Sequence, residues 1–206
     1  ILTIRSQVSK FSLSCLPKDE FPIIDTKSDG NKFKIKSQII YKLIDKTKFA
    51  ISNEETRYFL NGLYFNITNE SNKKIVTLVG TDGHRLAKFS HEIEEDIDQI
   101  SGVIIPKKTI YELSKLVSEI DEDVGISISA NKIVFSIGEI IFISKLIDGS
   151  FPDYNRVIPK DNSNTLKINR ESLLSAVDRV STIANEKSPV IKFKLFNNIL
   201  NLNTIN

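Results

Sequence analysis

Apolar and polar positions alternate near the start of the chain. Phe11, Leu13 and Cys15 fall on one side, Ser12 and Ser14 on the other. A period of two predicts a half-buried strand over residues 5–15. The two prolines of LPKDEFP break it, and KSDGNK supplies a turn, so a domain boundary is expected after residue 24. KSQIIYKLIDKTKFAI then reads as a helix. Ile40, Leu43 or Ile44, and Ala50 or Ile51 recur at helical spacing, with Gln38, Lys42 and Lys46 on the opposite face. TRYFLNGLYFNIT and KIVTLVGTDGHRLAKFS read as strands, with a polar loop over 69–74 and a tight turn at Asp82-Gly83.

PKKTIYELSKLVSEI predicts a second helix, with Pro106 near its first turn. Ile110, Leu113, Leu116 or Val117, and Ile120 form its apolar face; Lys108, Glu112, Lys115 and Glu119 lie elsewhere on the wheel. VGISISANKIVFSIGEIIFISKLID predicts three short strands with turns at Ala130-Asn131 and Gly138-Glu139. A linker follows, GSFPDYNRVIPKDNSN, with Gly149, Pro152 and Pro159. After it the pattern restarts: LKINRESLLSAVDRVSTIANEK predicts strand, turn and helix, the order already read in KFKIKSQIIYKLIDKTKFAISNEE. Asp45 matches Asp178 at an offset of 133 residues, and Leu43-Ile44 match Ala176-Val177. That period is domain-sized, too long for a solenoid. The expected fold is α+β, built of repeated units of sheet plus two helices, the second unit ending before its second helix.

Composition narrows the function classes. The 206 residues suffice for one large or two small domains, and 40% are apolar, enough for a packed core. The net charge of +2 argues against a bulk polycation while allowing one basic face. The single cysteine, Cys15, excludes an internal disulfide and fits a reducing compartment. No apolar run reaches the ~18 residues of a membrane span, and no signal peptide is expected at an end that opens on strand-like alternation, so a cytoplasmic location is expected. The chain starts without Met and both its ends lie inside strand patterns, as expected of a piece of a longer protein.

Catalytic signatures are sparse. His84 and His91 are the only histidines, and no CxxC, HExxH or Gly-rich phosphate loop is present. Asp82 and His84 could offer a metal two ligands, but no third or fourth is apparent. The plainer reading makes Asp82-Gly83 a hairpin turn that displays His84 and Arg85. Lys42 and Lys46 form an i, i+4 pair, and Lys107 and Lys108 open the second helix. Such lysines are a solvated face or a phosphate-contacting one.

Four stretches together resemble one family: ETRYFLNGLYF, TDGHRLA, FISKLIDGSFPDYNRVIP and ANEKSPV. They are similar to the bacterial β sliding clamp, the processivity subunit of DNA polymerase III. RSQVSKFSLSCLPKDEFP resembles the end of that family's first domain. The resemblance covers essentially the whole chain, in order and with family-like spacing.

The resemblance implies a DNA clamp fold of three repeated α+β domains, two protomers closing a ring around duplex DNA. Residues 1–24 would be the last strands of domain one, 25–150 domain two, and 151–206 the linker and first half of domain three. It implies a groove for short peptides between domains two and three, here Leu60, Thr81, Gly83, His84, Arg85, Leu86, Pro152, Arg156 and Val157. Leu60, Leu86, Pro152 and Val157 would form an apolar pocket; Thr81, Arg85 and Arg156 would supply polar rim contacts. His84 would be a packing and hydrogen-bonding wall. DNA would be faced by Gln38, Lys42, Lys46, Arg57, Tyr58, Phe59, Lys107 and Lys108, with Arg179 in the second unit. The aromatic pair common in the family as Tyr-Tyr is Tyr58-Phe59 here, and the segment that completes the groove in the family is absent from this sequence.

Ring closure would use Arg5, Lys10, Phe11 and Leu13 against the region of Ile183 in the other protomer. The alternative is that Phe11 and Leu13 fill domain one's own core. The implied partners are double-stranded DNA without sequence preference, the polymerase III α subunit, the clamp loader, other polymerases and repair proteins with clamp-binding motifs, and a second copy. No catalytic residue, metal or cofactor is implied. The competing reading is an isolated peptide-binding or structural domain that does not encircle DNA.

Overall fold

The computed structural model describes residues 1–21, 30–94, 97, 99–184 and 190–204. The boundary expected after residue 24 and most of ANEKSPV lie outside them. The chain divides into two compact units, Ile1–Pro152 and Asp153–Asn206.

The first unit opens with strands β1 (Leu2–Ser6) and β2 (Ser9–Leu13), paired antiparallel. The single strand expected over 5–15 is therefore a hairpin, and Cys15 lies beyond it. Its turn at Gln7-Val8 carries none of the usual turn residues, although Gln7 sits at φ 35°. Leu2 faces Leu13 and Ile4 faces Phe11, while Arg5 faces Lys10. All of these residues are exposed, Phe11 to 57%, so the hairpin is not half-buried.

The body of the unit repeats one five-element order twice: β3 (Asn31–Lys36), α1 (Ser37–Asp45), β4 (Gly62–Glu70), β5 (Lys73–Thr81), β6 (Leu86–Ile93), then β7 (Ile100–Pro106), α2 (Lys107–Ser118), β8 (Asp123–Ile128), β9 (Lys132–Ile137), β10 (Ile140–Lys145). Each half builds a sheet from its last three strands and borrows its fourth from the other half. The orders are β10-β9-β8-β3 and β6-β5-β4-β7, every pairing antiparallel.

Strand passes into helix without a loop at both exchange points. The first helical N–H groups cannot be satisfied within the helix, so each reaches the residue before the borrowed partner strand: Ser37 N–H donates to Glu122 O (2.9 Å), Lys107 N–H to Asn61 O (2.9 Å). Buried Ser37 adds a side-chain bond, Oγ to Ile120 O at 2.9 Å. β7 was missed by the periodicity reading, because Gly102 and Pro106 interrupt it. Pro106 ends the strand, where a lost donor is tolerated. Gly102 leaves room for the Tyr64 ring, whose tip would lie 1.9 Å from a Cβ there.

One core serves both sheets and both helices. Ile40, Leu43 and Ile44 of α1 and Ile110, Leu113 and Val117 of α2 meet Phe33, Phe65, Leu78, Ile105, Ile126 and Phe135 from the strands. Phe33 stacks on Phe65 with ring centroids 6.2 Å apart. α1 is shorter than its apolar pattern. It stops at Asp45, where the buried Thr47 hydroxyl bonds back to Leu43 O at 2.7 Å, and a 3-10 turn, Lys48–Ala50, carries Ala50 into the core. The strand expected over TRYFLNGLYFNIT begins only at Gly62, with Tyr58–Leu60 in a 3-10 turn. The polar loop expected over 69–74 shrinks to Ser71-Asn72, both at positive φ (50° and 63°), the geometry of a two-residue hairpin turn.

The second unit has α3 (Arg170–Ser181), capped by Asn169 Oδ1, and the hairpin β11 (Ile191–Phe196) and β12 (Ile199–Thr204). α3 begins at the counterpart of Ser37, at the repeat's offset. The strand expected at Leu166-Lys167-Ile168 does not form. In the first unit the matching β3 is held by β8. Among the described residues, no helix is long and apolar enough to cross a membrane.

Ile110 has no solvent exposure and belongs to the shared core. Ile110→Ala is expected to lower the unfolding free energy by about 2–5 kcal/mol. Urea titration would read it; a loss under about 1 kcal/mol contradicts this packing.

Candidate functional site

The turn between β5 and β6 is organised by Asp82. Aspartate readily accepts from backbone donors two and three residues on. Here Oδ1 accepts from the N–H groups of His84 and Arg85, both at 3.0 Å. Oδ2 accepts from Arg85 Nε at 3.0 Å. Thr81 Oγ1 donates to Arg85 O (2.7 Å) and accepts from Gly83 N–H (3.1 Å). Gly83 supplies the left-handed corner at φ 89°. The backbone donors of Arg85 and His84 pull the Asp82 carboxyl down to about 2.

A second loop locks onto this turn. Arg57 forms a fork with Glu54, Nε to Oε2 at 2.7 Å and Nη2 to Oε1 at 2.6 Å. The same Nη2 donates to Asp82 O at 3.1 Å. The fork's hydrogen bond lowers the Glu54 carboxyl and raises the Arg57 guanidinium from their ordinary values. The loop also closes on itself: Ser52 N–H to Leu60 O (3.1 Å), Leu60 N–H to Arg57 O (2.8 Å), Asn61 Nδ2 to Glu54 O (2.9 Å).

The residues expected to line a peptide groove divide by unit. In the first unit, one turn gathers Thr81, Gly83, His84, Arg85 and Leu86, and the 57–60 loop holds Leu60. Leu60 is only 3% exposed, so it backs the surface rather than projecting from it. Leu86 is half-buried; Gly83, His84 and Arg85 are exposed. The Thr81 hydroxyl is spent on the turn. Arg85 also lies 5.8 Å from the exposed Phe49 ring. Pro152 is exposed at the end of the first unit. In the second unit, Arg156 pairs with Asp153 at 3.1 Å and Val157 is 67% exposed.

The residues expected to face DNA lie on or near the paired helices. Gln38, Lys42, Lys46 and Lys108 are exposed. Lys42 Nζ sits 5.6 Å from the Phe89 ring, and Lys107 bonds Asn53 Oδ1 and lies 5.7 Å from the Tyr111 ring. Arg57 is held from two sides, its guanidinium engaged by Glu54 and by the turn. Tyr58 and Phe59 pack edge to face at 5.8 Å, with Tyr58 54% exposed. Arg179 in α3 is exposed. Of the residues expected at a dimer interface, Arg5, Lys10, Phe11 and Leu13 lie on the exposed hairpin, and Ile183 is exposed after α3. Sequence reading did not find Glu54, Asn53 or Phe49, since their partners are distant in sequence or lie in irregular backbone. Among the described residues, no group of three or more His, Cys, Asp or Glu could hold a metal ion.

Comparison with known proteins gives a consistent result. Residues 34–153 match the model of the DNA polymerase III beta subunit central domain, and residues 155–206 match that of its C-terminal domain. The chain is 43% identical over 191 residues to the beta sliding clamp of Caulobacter vibrioides, covering 93% of this chain and 51% of that protein. It is 35% identical to the Escherichia coli beta sliding clamp, covering 100% of this chain and 55% of that one. Among solved structures, the Bartonella birtlesii sliding clamp bound to griselimycin superposes with a TM-score of 0.86 at 45% identity, covering 97% of this chain and 54% of that chain. The Caulobacter crescentus clamp superposes at 0.89 and 42%, covering 97% and 53%. The chain spans about half the length of the curated relatives it matches.

Asp82 titrates lower when folded than the ~3.9 of a free aspartate. Its contribution to stability is therefore present above about pH 4 and lost as pH falls through about 2. The Asp82 carboxyl carbon resonance should titrate with a midpoint near 2. A midpoint at the free value would mean the turn is not held by this carboxylate.

Proposed function

The chain belongs to the DNA polymerase III beta subunit family, the β sliding clamps, and from that premise we propose that it serves as a processivity factor of bacterial DNA replication. Two copies close a head-to-tail ring around duplex DNA. The ring tethers the polymerase III α subunit, the clamp loader, and other polymerases and repair proteins through a peptide-binding surface. It works in the cytoplasm and catalyses no reaction itself.

The observation that carries this reading is the outward face of the paired helices. α1 and α2 bury their apolar sides in one core and leave Gln38, Lys42, Lys46 and Lys108 in solvent. The acidic residues on these faces are matched locally: Asp45 meets Lys46 and Lys48 at 3.5 and 3.6 Å, and Glu112 meets Lys115 at 3.1 Å. Flexible lysines suit phosphates, which carry charge without base identity. A ring that slides requires contacts of that kind. Tyr58 and Phe59 form an aromatic pair on the turn that leads to Asn61, whose carbonyl accepts from the first N–H of α2. Ring closure uses the apolar hairpin side, Phe11 and Leu13, flanked by Arg5 and Lys10, against the Ile183 region of the second copy, as the resemblance implies.

The peptide-binding surface uses the 81–86 turn and Leu60 of the first unit. Half-buried Leu86 offers an apolar contact beside exposed His84 and Arg85. We extend to this chain the ligand of the Bartonella relative, griselimycin.

Two measurements test the reading. Leu86→Ala is expected to weaken griselimycin binding by about 1–3 kcal/mol in calorimetry, the range for losing an apolar anchor. An unchanged dissociation constant removes Leu86 from the site. In the intact protein, the Lys42→Ala, Lys46→Ala double variant should bind duplex DNA more weakly on every sequence. Its salt dependence should be shallower by roughly 0.9 log units per log unit of salt for each lost phosphate contact. A strong preference for one DNA sequence would contradict a sliding function.

A further inference from the structure

Arg57 joins two loops of the first unit, the 3-10 turn Tyr58–Leu60 and the 82–85 turn. It heads the 3-10 turn Tyr58–Leu60, so its backbone fixes the aromatic pair: Leu60 N–H bonds Arg57 O at 2.8 Å and Asn61 N–H bonds Tyr58 O at 3.0 Å. Its side chain leaves that loop and reaches the 82–85 turn, where Nη2 bonds Asp82 O at 3.1 Å. The approach is closer than one hydrogen bond implies. A Cβ on Gly83 would lie 2.5 Å from Arg57 Nη1, so the glycine leaves room for the guanidinium to lie against the turn. Glu54 holds the guanidinium from the other side with both carboxylate oxygens. The planar five-donor group can serve carboxylate and carbonyl together, which an ammonium on a flexible stem cannot do in the same geometry.

Gly149 passes beside the aromatic pair. A Cβ on Gly149 would sit 3.3 Å from Phe59 Cβ and 3.5 Å from the Tyr58 ring. Tyr58, 54% exposed, and Phe59 are carried by the 52–61 loop. That loop is tied at Ser52, Glu54 and Asn61 within itself, and through Arg57 to the turn.

We propose that Arg57, clamped by Glu54, is a positioning residue that couples the 82–85 turn to the Tyr58-Phe59 pair, so that a ligand held at the turn is registered at the aromatics. A partner peptide docking on the groove side would thereby change the aromatic contact offered to DNA, and by reciprocity DNA would change peptide affinity. The ligand half of this inference rests on the peptide-site reading above; the mechanical half does not.

The test uses three proteins: the parent chain, Arg57→Lys and Glu54→Gln. Lysine keeps the charge without the fork, and glutamine keeps the size without the charge. Amide exchange at His84 and Arg85, the two donors to Asp82, is expected to quicken at least fivefold in both variants while the melting temperature stays close to that of the parent. Griselimycin is the ligand probe, and both variants should bind it about fivefold or more weakly. With 4-fluorophenylalanine at position 59, its fluorine resonance should shift on saturation with griselimycin in the parent, and by less than half as much in Arg57→Lys. Equal exchange rates in all three proteins would overturn the proposal. So would a full fluorine shift in Arg57→Lys at saturation. If griselimycin does not bind the parent, the peptide-site reading fails, and the exchange rates alone decide whether Arg57 positions the turn.

Discussion

The first unit depends on a strand exchange. β3 runs straight into α1 yet pairs with β8, and β7 runs straight into α2 yet pairs with β4. A helix fused to a strand has no freedom to choose its own start, so the sheet sets where each helix begins. The matched bonds from Ser37 and Lys107 to Glu122 and Asn61 record this constraint on both sides. Once the helix starts are fixed, the apolar faces must meet in the middle, and the lysines of the opposite faces are left in solvent. The exposed lysine face is thus a by-product of how the sheets are closed.

Local rules made part of this fold legible. Both helices of the first unit announce themselves by the spacing of Ile40, Leu43 and Ile44, and of Ile110, Leu113 and Val117. The turns at Asp82-Gly83 and Gly138-Glu139 follow from residue types that tolerate or favour them. The exchange itself was not legible, because pairing Asn31 with Ile128 is a long-range choice that no local window contains. The repeat at offset 133 pointed to the second unit, but the duplication inside the first shows only in the topology. The hairpin at Gln7-Val8 escaped because its turn lacks the usual residues. Leu166-Lys167-Ile168 alternates like a strand, but a strand exists only with a partner.

The fold gathers some of the residues expected at the site on one turn and commits the polar groups of others to internal bonds. The 81–86 run gathers on one turn because Asp82 organises it, a capacity visible in the aspartate itself. Thr81 looked like a rim contact, but the turn consumes its hydroxyl. Leu60 looked like a pocket wall and is nearly buried. Arg57 was read as a DNA contact, and its guanidinium is committed to Glu54 and the Asp82 carbonyl. That last difference arises because the Glu54–Arg57 fork lies in irregular backbone, where the spacing rules of helices and strands say nothing.

The exchanged strands also set a timetable during synthesis. β3 leaves the ribosome long before β8, the strand it must join. With translation at roughly 5–20 residues per second, the wait for some 90 intervening residues is on the order of 5–20 s. In that interval Phe33 and Ile35, later buried, have neither sheet nor core to enter. The flanking lysines, Lys32, Lys34 and Lys36, give the waiting segment alternating positive charge. Such charge discourages a nascent strand from pairing with a neighbouring chain. The same alternation that places Phe33 and Ile35 in the finished core therefore protects the chain while that core does not yet exist.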